Sequence, residues 1–503
     1  MRRALEGRAG YAAFQRHVEP EIASSTRLHR FAAVPESGFR ATPAAALAVV
    51  IDPSGGGDGE ATQASLRGQT VRCAHTAEYP ILRALQESRA PWIALIRSGD
   101  RLAPIALERL GQAATLASDA AVITCDDDII DRKGRRSRPM LRPGPCPDLW
   151  LERNPDFALV VVAREAALAA AGAGGEGWSL FSCLAGRDGS GHVHVPLVLC
   201  HRAGSRRGGS HPRSRQRPVR HPPDREPSVE VIVAFRDRPQ LLERCVRSVL
   251  ERSTYERLRL RLVDNGSTDP GLAPLLERLE KDSRVSVEAD GRPFHFSALM
   301  NGAAARAKGD LLVFLNNDTE AISRGWIEEL LGEALRPEVG AVAPMLLYPD
   351  GRVQHAGVAI GIHGWAGHPF AGLRPDERTP FGAAGDGTRN WMAVSAACMM
   401  VEKSKFDEVG GFDESFAVGG GDVDLCLRLT AAGYRSLCVP HARLIHDESA
   451  SRDPSRVPAG DIKASRRSYG AFRTVGDPFY HPALTLQDTT CRLRSAGEPA
   501  PPP

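Results

Sequence analysis

Short apolar runs alternate with amphipathic stretches through the second half of the chain. Val229-Glu230-Val231-Ile232-Val233 reads as a buried strand, and Pro239 then opens a helix with Leu242, Val246, Val249 and Leu250 on one face. Leu258 to Val263 alternates apolar residues with arginine and stops at the turn formers Asp264-Asn265-Gly266-Ser267. A helix from Ser297 to Ala307 leads into a strand, Leu311 to Leu315, that ends at Asn316-Asn317-Asp318; the next helix carries Trp326, Leu330, Leu331 and Ala334. This strand–helix–strand repetition predicts an α/β fold with a mainly parallel sheet, whose ligands bind beyond the carboxyl ends of the strands.

The first half repeats the pattern more faintly. Trp92 to Ile96, followed by Arg97-Ser98-Gly99-Asp100 and a helical ALERL, parallels Leu311 to Leu315 followed by Asn316-Asn317-Asp318 and WIEEL. His194 to His201 likewise resembles Val439 to His446. Two related sheet domains are the economical reading, against two unrelated α/β domains that share chance fragments. Between them, residues 201–227 are rich in Arg, Pro, Gly and Ser and nearly free of apolar side chains, which predicts a disordered basic linker. The expected organisation is an N-terminal extension (1–43), a first domain (44–200), the linker, a second domain (228–480) and a C-terminal tail (481–503).

Composition narrows the class. With 503 residues, 42% of them hydrophobic and 25% charged, and a net charge of +3, the chain reads as a multidomain globular protein with no nucleic-acid partner. No apolar run approaches the roughly 20 residues that span a bilayer, and the first residues lack the apolar core of a signal peptide. The expected place is the cytoplasm, with peripheral contact at the inner face of the membrane left open. The ten cysteines form no C-x-x-C pair and read as core residues in a reducing compartment.

Three acidic loci stand at strand ends or in loops: Asp264, Asp318 and Asp422. Hard cations such as magnesium and manganese prefer oxygen ligands, which suits Asp318 at a strand tip, and a carboxylate across a cleft from it could take a proton. Each also has a simpler reading. Asp264 fits an Asx turn, Asn316-Asn317-Asp318 a helix cap, and Asp422 with Asp424 a solvated helix start.

Taken together and in order, the segments VEVIVAFRDRPQLLERCVRSVL, LVDNGSTD, FLNNDTE, GGFDESF, GDVDLCLRLTAAGYR and HDESASR resemble family 2 glycosyltransferases of the GT-A fold, of the rhamnosyltransferase and O-antigen type. The resemblance covers Val229 to about Asp453. It implies an inverting transfer of sugar from a nucleotide diphosphate donor to a glycan or lipid-linked acceptor in cell-surface polysaccharide synthesis, with Mg2+ or Mn2+ as cofactor. By the same resemblance Asp422 is the catalytic base, and Asp264, Asn265, Arg236, Asn301, Asn316 and Asn317 hold the nucleotide sugar. Asp318 and His446 hold the metal, and Trp391, Asp424 and Glu414 face the acceptor, where Trp365 and His368 could add a stacking platform. Two positions depart from the pattern: Asn316 stands where many members carry Asp, and Gly421 where an acid precedes the base. They motivate the alternative of a weak or inactive sugar-binding pseudoenzyme.

The first domain resembles the leading module of tandem members through RSGD, ITCDDDIIDRKGRRSRP and PDLWLERN, but Gly177-Trp178-Ser179-Leu180-Phe181 offers no carboxylate where the base would stand. Asp126-Asp127-Asp128 cannot all address one ion, because neighbouring strand residues alternate faces. The first domain is therefore expected to be non-catalytic, and a chain starting near Pro227 to retain transfer. A dehydrogenase is excluded because the first strand of the second domain leads into Ala234-Phe235-Arg236-Asp237 instead of a G-x-G-x-x-G turn.

Overall fold

The computed structural model describes residues 2–25, 42–53, 58–73, 75–78, 81–153, 157–172, 184, 191–204, 226–447, 457–470, 472 and 476–499. Most of the predicted linker and the end of the HDESASR segment lie outside them, as does Gly177 to Phe181. Among the described residues, no helix is long and apolar enough to cross a membrane.

The first sheet contains β1 (Leu47–Asp52), β2 (His75–Glu78), β3 (Trp92–Arg97), β4 (Arg101–Leu102), β5 (Val122–Ile130), β6 (Arg136–Met140), β7 (Leu159–Ala163) and β8 (His192–Ala203). Their order is β2-β1-β3-β7-β5-β8-β4, with β6 on β5. The second contains β9 (Val229–Phe235), β10 (Leu258–Asp264), β11 (Val285–Ala289), β12 (Leu311–Leu315), β13 (Thr319–Ala321), β14 (Val339–Leu347) and β15 (Val353–His355). A separate ribbon pairs β16 (Ala359–Ile360) with β17 (Ala366–Gly367), and β18 (Arg389–Trp391), β19 (Cys398–Glu402) and β20 (Arg435–His446) complete the second sheet. That sheet runs β11-β10-β9-β12-β19-β14-β20-β13.

The two orders superpose from β1-β3-β7-β5-β8-β4 onto β9-β12-β19-β14-β20-β13, each step with the same parallel or antiparallel sense. Both sheets are mixed, which corrects the expectation of mainly parallel ones. β9 to β12 run parallel, but β19 lies antiparallel between β12 and β14. Its five residues, CMMVE, are too few to show a period.

Described segments expected to lie outside the two domains are built into the fold. His201–Ala203, placed in the linker by composition, continue β8, where His201 sits opposite Arg101. In the helix Arg2–His17, Tyr11 and Phe14 are buried in the core. Residues 481–499 are likewise no loose tail: His481, Leu484, Cys491 and Arg494 are buried. Polar contacts join the halves. Arg435, 1% exposed, meets Asp148 at 2.8 Å; Arg336 also reaches Asp148, and Asn390 Nδ2 donates to Pro145 O at 2.9 Å.

Candidate active site

The first wall of the site is built where β9 and β10 end. Asp237 and Arg238 both have positive φ, 55° and 58°, a cramped conformation for non-glycine residues that swings the chain into the helix Pro239–Arg252. Asp237 Oδ1 accepts from the backbone N–H of Thr268 and Asp269, tying the two strand-end loops together and holding its carboxyl below the usual range. Asp264 closes β10 and accepts from Ser267 N at 2.9 Å, three residues on and one further than an Asx turn, so its carboxylate pins the turn that follows the strand. Its second carboxylate oxygen is not engaged by that turn. Asn265 is buried and spends its amide N–H groups on Asp290 O and Arg292 O, which makes it a brace for the wall. Arg236 is exposed at the rim.

The second wall is the tip of β12. Asn316 and Asn317 are half-buried there, and Asp318 is buried. Because β13 pairs antiparallel with β20, Thr319 opposite His446, the last residue of β20 is delivered beside Asp318. Asp318 Oδ1 and His446 Nε2 stand 3.2 Å apart, and Asn316 Nδ2 lies 3.3 Å from the same nitrogen. Two ligands bound at about 2.1 Å and roughly a right angle to one cation are about 3 Å apart, so this pair fits a divalent ion. Cys245 lies under Asn316 and Thr319, where burial pushes its thiol up to about 12 despite the Thr319 hydroxyl.

The third wall is the start of the helix Gly421–Ala431. Asp422 lies in its first turn and accepts from Ala396 N at 3.1 Å, while Ala397 O accepts from Asn316 N at 3.0 Å. The Ser395–Ala397 loop thus bonds at one end to Asn316, two residues before Asp318, and at the other to Asp422. Gly421 has a packing reason. A Cβ there would lie 3.1 Å from Ser297 Oγ and 3.3 Å from Phe416 Cβ, leaving no ready space for an acidic side chain.

Other expected site residues serve the scaffold. Asn301 donates to Phe412 O and accepts from Phe412 N, so its amide clasps the Gly411–Glu414 turn and cannot also read a nucleotide. Glu414, exposed, receives that same amide at 3.1 Å. Asp424 is buried and consumed by Arg428 at 2.8 Å and Ser468 at 2.7 Å. Trp391 is 1% exposed among Phe370 and Phe381, and so belongs to the core and cannot form an acceptor platform. Trp365 is half-buried under Arg466, and His368 Nδ1 meets His355 Nδ1 at 2.9 Å. His355 and Asp461 carry no motif in the sequence. Burial, then His368 and His446, hold the His355 imidazole well below its usual range, so it is neutral beside the Asp318–His446 pair.

The first half takes the same frame apart. Asp100 and His201 occupy the places of Asp318 and His446: Asp100 precedes β4 as Asp318 precedes β13, and Arg101 pairs with His201 as Thr319 pairs with His446. Asp100 Oδ1 accepts from Ala203 N at 3.0 Å, and His201 Nδ1 turns to Asp128 at 2.7 Å. Tyr11, from the first helix, donates to that same Asp128. Asp127 is held by Arg142 and Arg202, so the three aspartates do face three ways. Asp126, His194 and His481 bring three ligand-type atoms within 4.8 Å of one another. Ala483 N donates to His481 Nδ1, however, which leaves a neutral ring its proton on Nε2, aimed at Asp126 Oδ2 at 2.7 Å and with no lone pair for a cation.

Residues 230–409 match glycosyl transferase family 2. The chain is 30% identical to an N-acetylglucosaminyl-diphospho-decaprenol L-rhamnosyltransferase of Mycobacterium tuberculosis over 48% of its own length and 82% of the relative's. The chain belongs to glycosyl transferase family 2. Among relatives within the family range, it is 37% identical to the O-antigen biosynthesis protein RfbC of Myxococcus xanthus, across 86% of this chain and 36% of that protein. The chain therefore spans about a third of that curated relative's length. A structure of GalNAc-T7 with UDP, GalNAc and Mn2+ is 18% identical over 53% of each chain, with a TM-score of 0.41. This family 2 chain keeps the matched segment wholly in its second half.

Proposed function

We propose that the chain is an inverting glycosyltransferase that moves a sugar from a nucleotide diphosphate donor to a glycan or lipid-linked acceptor in cell-surface polysaccharide synthesis. We read the fold of each half as GT-A-like, the first half as a non-catalytic copy, and the protein as cytoplasmic, touching the membrane at most peripherally. The observation that carries this is the Asp318–His446 pair, 3.2 Å apart, with Asp422 tied to the tip of the same strand through the Ser395–Ala397 loop. The names of the Mycobacterium and Myxococcus relatives support the substrate class.

In this reading Asp264 and Arg236 receive the nucleotide, braced by Asn265. Asp318 and His446 would hold magnesium or manganese, which supplies Lewis-acid neutralisation of the leaving diphosphate. Asp422 takes the proton of the acceptor hydroxyl as its oxygen bonds to the anomeric carbon and the bond to the diphosphate oxygen breaks. Attack opposite the leaving group inverts that carbon. A base so placed contributes roughly 10²–10⁴ in rate. The test is nucleoside diphosphate release from a panel of UDP-, dTDP- and GDP-sugars with manganese. Asp422→Asn should cut turnover roughly 10²–10⁴-fold while donor binding, read by calorimetry, persists; near-normal turnover in that variant would refute the assignment.

A further inference from the structure

The turn that aims Asp422 cannot hold itself. Gly419-Gly420-Gly421 runs directly into the helix, Gly420 at φ 90°, and consecutive glycines lose more conformational freedom on ordering than any other residues. Something outside the turn must fix it, and one buried carboxylate touches most of it. Asp461, 1% exposed on the helix Ala459–Tyr469, accepts from Ala417 N through Oδ1 and from Val418 N and Gly419 N through Oδ2, all at 2.9 Å. Hydrogen bonds to an ionised carboxylate are about twice as strong as neutral ones.

The same helix grips the turn twice more. Tyr469 Oη donates to Gly420 O at 2.7 Å, and Ser468 Oγ donates at 2.7 Å to Asp424, two residues beyond Asp422 in the same helix. A Cβ on Gly420 would lie 2.5 Å from that Tyr469 oxygen, so the glycine and the tyrosine are fitted to each other. From the opposite side Phe296 N donates to Ala417 O and Ser297 Oγ to Phe416 O, so the turn is clamped between two helices.

We propose that Asp461 is a positioning residue for Asp422: by holding the backbone N–H groups of residues 417–419 it fixes the glycine turn from which the Asp422 carboxylate is aimed. The inference rests on the reading of Asp422 as the base. Asp461→Asn keeps the shape but leaves one oxygen to accept and sets an amide N–H against the other donors.

In the full chain, without substrate, this change should speed amide hydrogen exchange at Ala417, Val418 and Gly419 by about tenfold or more. With manganese and whichever donor of the UDP-, dTDP- and GDP-sugar panel turns over, kcat should fall about 10- to 100-fold with donor KM within about twofold. The double variant with Asp422→Asn should be no slower than Asp422→Asn alone, since one residue acts through the other. An unchanged kcat, or losses that multiply in the double variant, overturns the positioning role. Near-normal turnover of Asp422→Asn by itself marks instead the failure of the base assignment, and the positioning role falls with it. Should Asp461→Asn not unfold cooperatively, Tyr469→Phe, which removes one hydroxyl from the same turn, takes its place. A severalfold fall in kcat at unchanged donor KM then supports the inference and an unchanged kcat defeats it.

Discussion

Asp318 and Asp100 sit at the same step of two matching strand orders, but His446 meets Asp318 at 3.2 Å whereas His201, in the matching place, turns its Nδ1 to Asp128. Asp318→Ala removes the carboxylate beside His446 and should cost about 3 kcal/mol in the transition state, more than a hundredfold in kcat/KM. Asp100→Ala should leave kcat/KM within about twofold, because its partner is Ala203 N and not a substrate. Chelation should abolish turnover and manganese restore it; transfer that survives in metal-free protein would remove Asp318 and His446 from their role. Histidines set a further expectation. Burial holds His192 and His355 neutral, well below the usual range. The unfolded chain takes up these protons below about pH 6.5, so the stability each contributes is present above that pH and declines as pH falls, by up to about 1.4 kcal/mol per unit. The midpoint of thermal unfolding should therefore drop between pH 6.5 and 5, and a flat profile would mean that these rings titrate inside the fold.

At the scale of elements, the strands that end in the site were legible because each joins a periodic apolar run to a turn-forming cluster: β9, β10 and β12 all lie where the pattern puts them. What failed was side-chain direction. Trp391 and Asp424 stand in segments that the resemblance assigns to the site, but a three-residue strand and a helix's inner face turn them into the core, and no spacing within the sequence records which face a neighbour will cover. Trp391→Ala should accordingly lower stability by about 3–5 kcal/mol instead of raising acceptor KM, a difference that denaturant titration beside steady-state kinetics would separate. Gly357, whose Cβ would collide with the Trp391 ring, makes the same point from the other partner. Asp461 was illegible for another reason. Its three partners lie more than forty positions upstream, 42 at the nearest, and a carboxylate that serves backbone amides leaves no motif.

Across the whole molecule, the halves are not independent. The sequence suggested that a chain starting near Pro227 would keep its activity; the buried Arg435–Asp148 contact argues against it. Removing the first half takes Asp148 from both Arg435 and Arg336, two cations of the second half that it pairs in the full chain. Truncation should therefore give a protein that fails to melt cooperatively, and Asp148→Asn in the full chain should reproduce much of the destabilisation while leaving donor KM unchanged. The clasp of His481 on Asp126 has a consequence for synthesis. These residues are 355 positions apart. At about 5–20 residues per second, a ribosome that has completed β5 needs on the order of 20–70 s to deliver the imidazole that donates to it. During that interval the nascent first half carries a carboxylate destined for the interior that lacks one of its hydrogen-bond donors, so its final closure is timed by elongation, and slow codons late in the message would lengthen the period in which a chaperone or a protease can reach it.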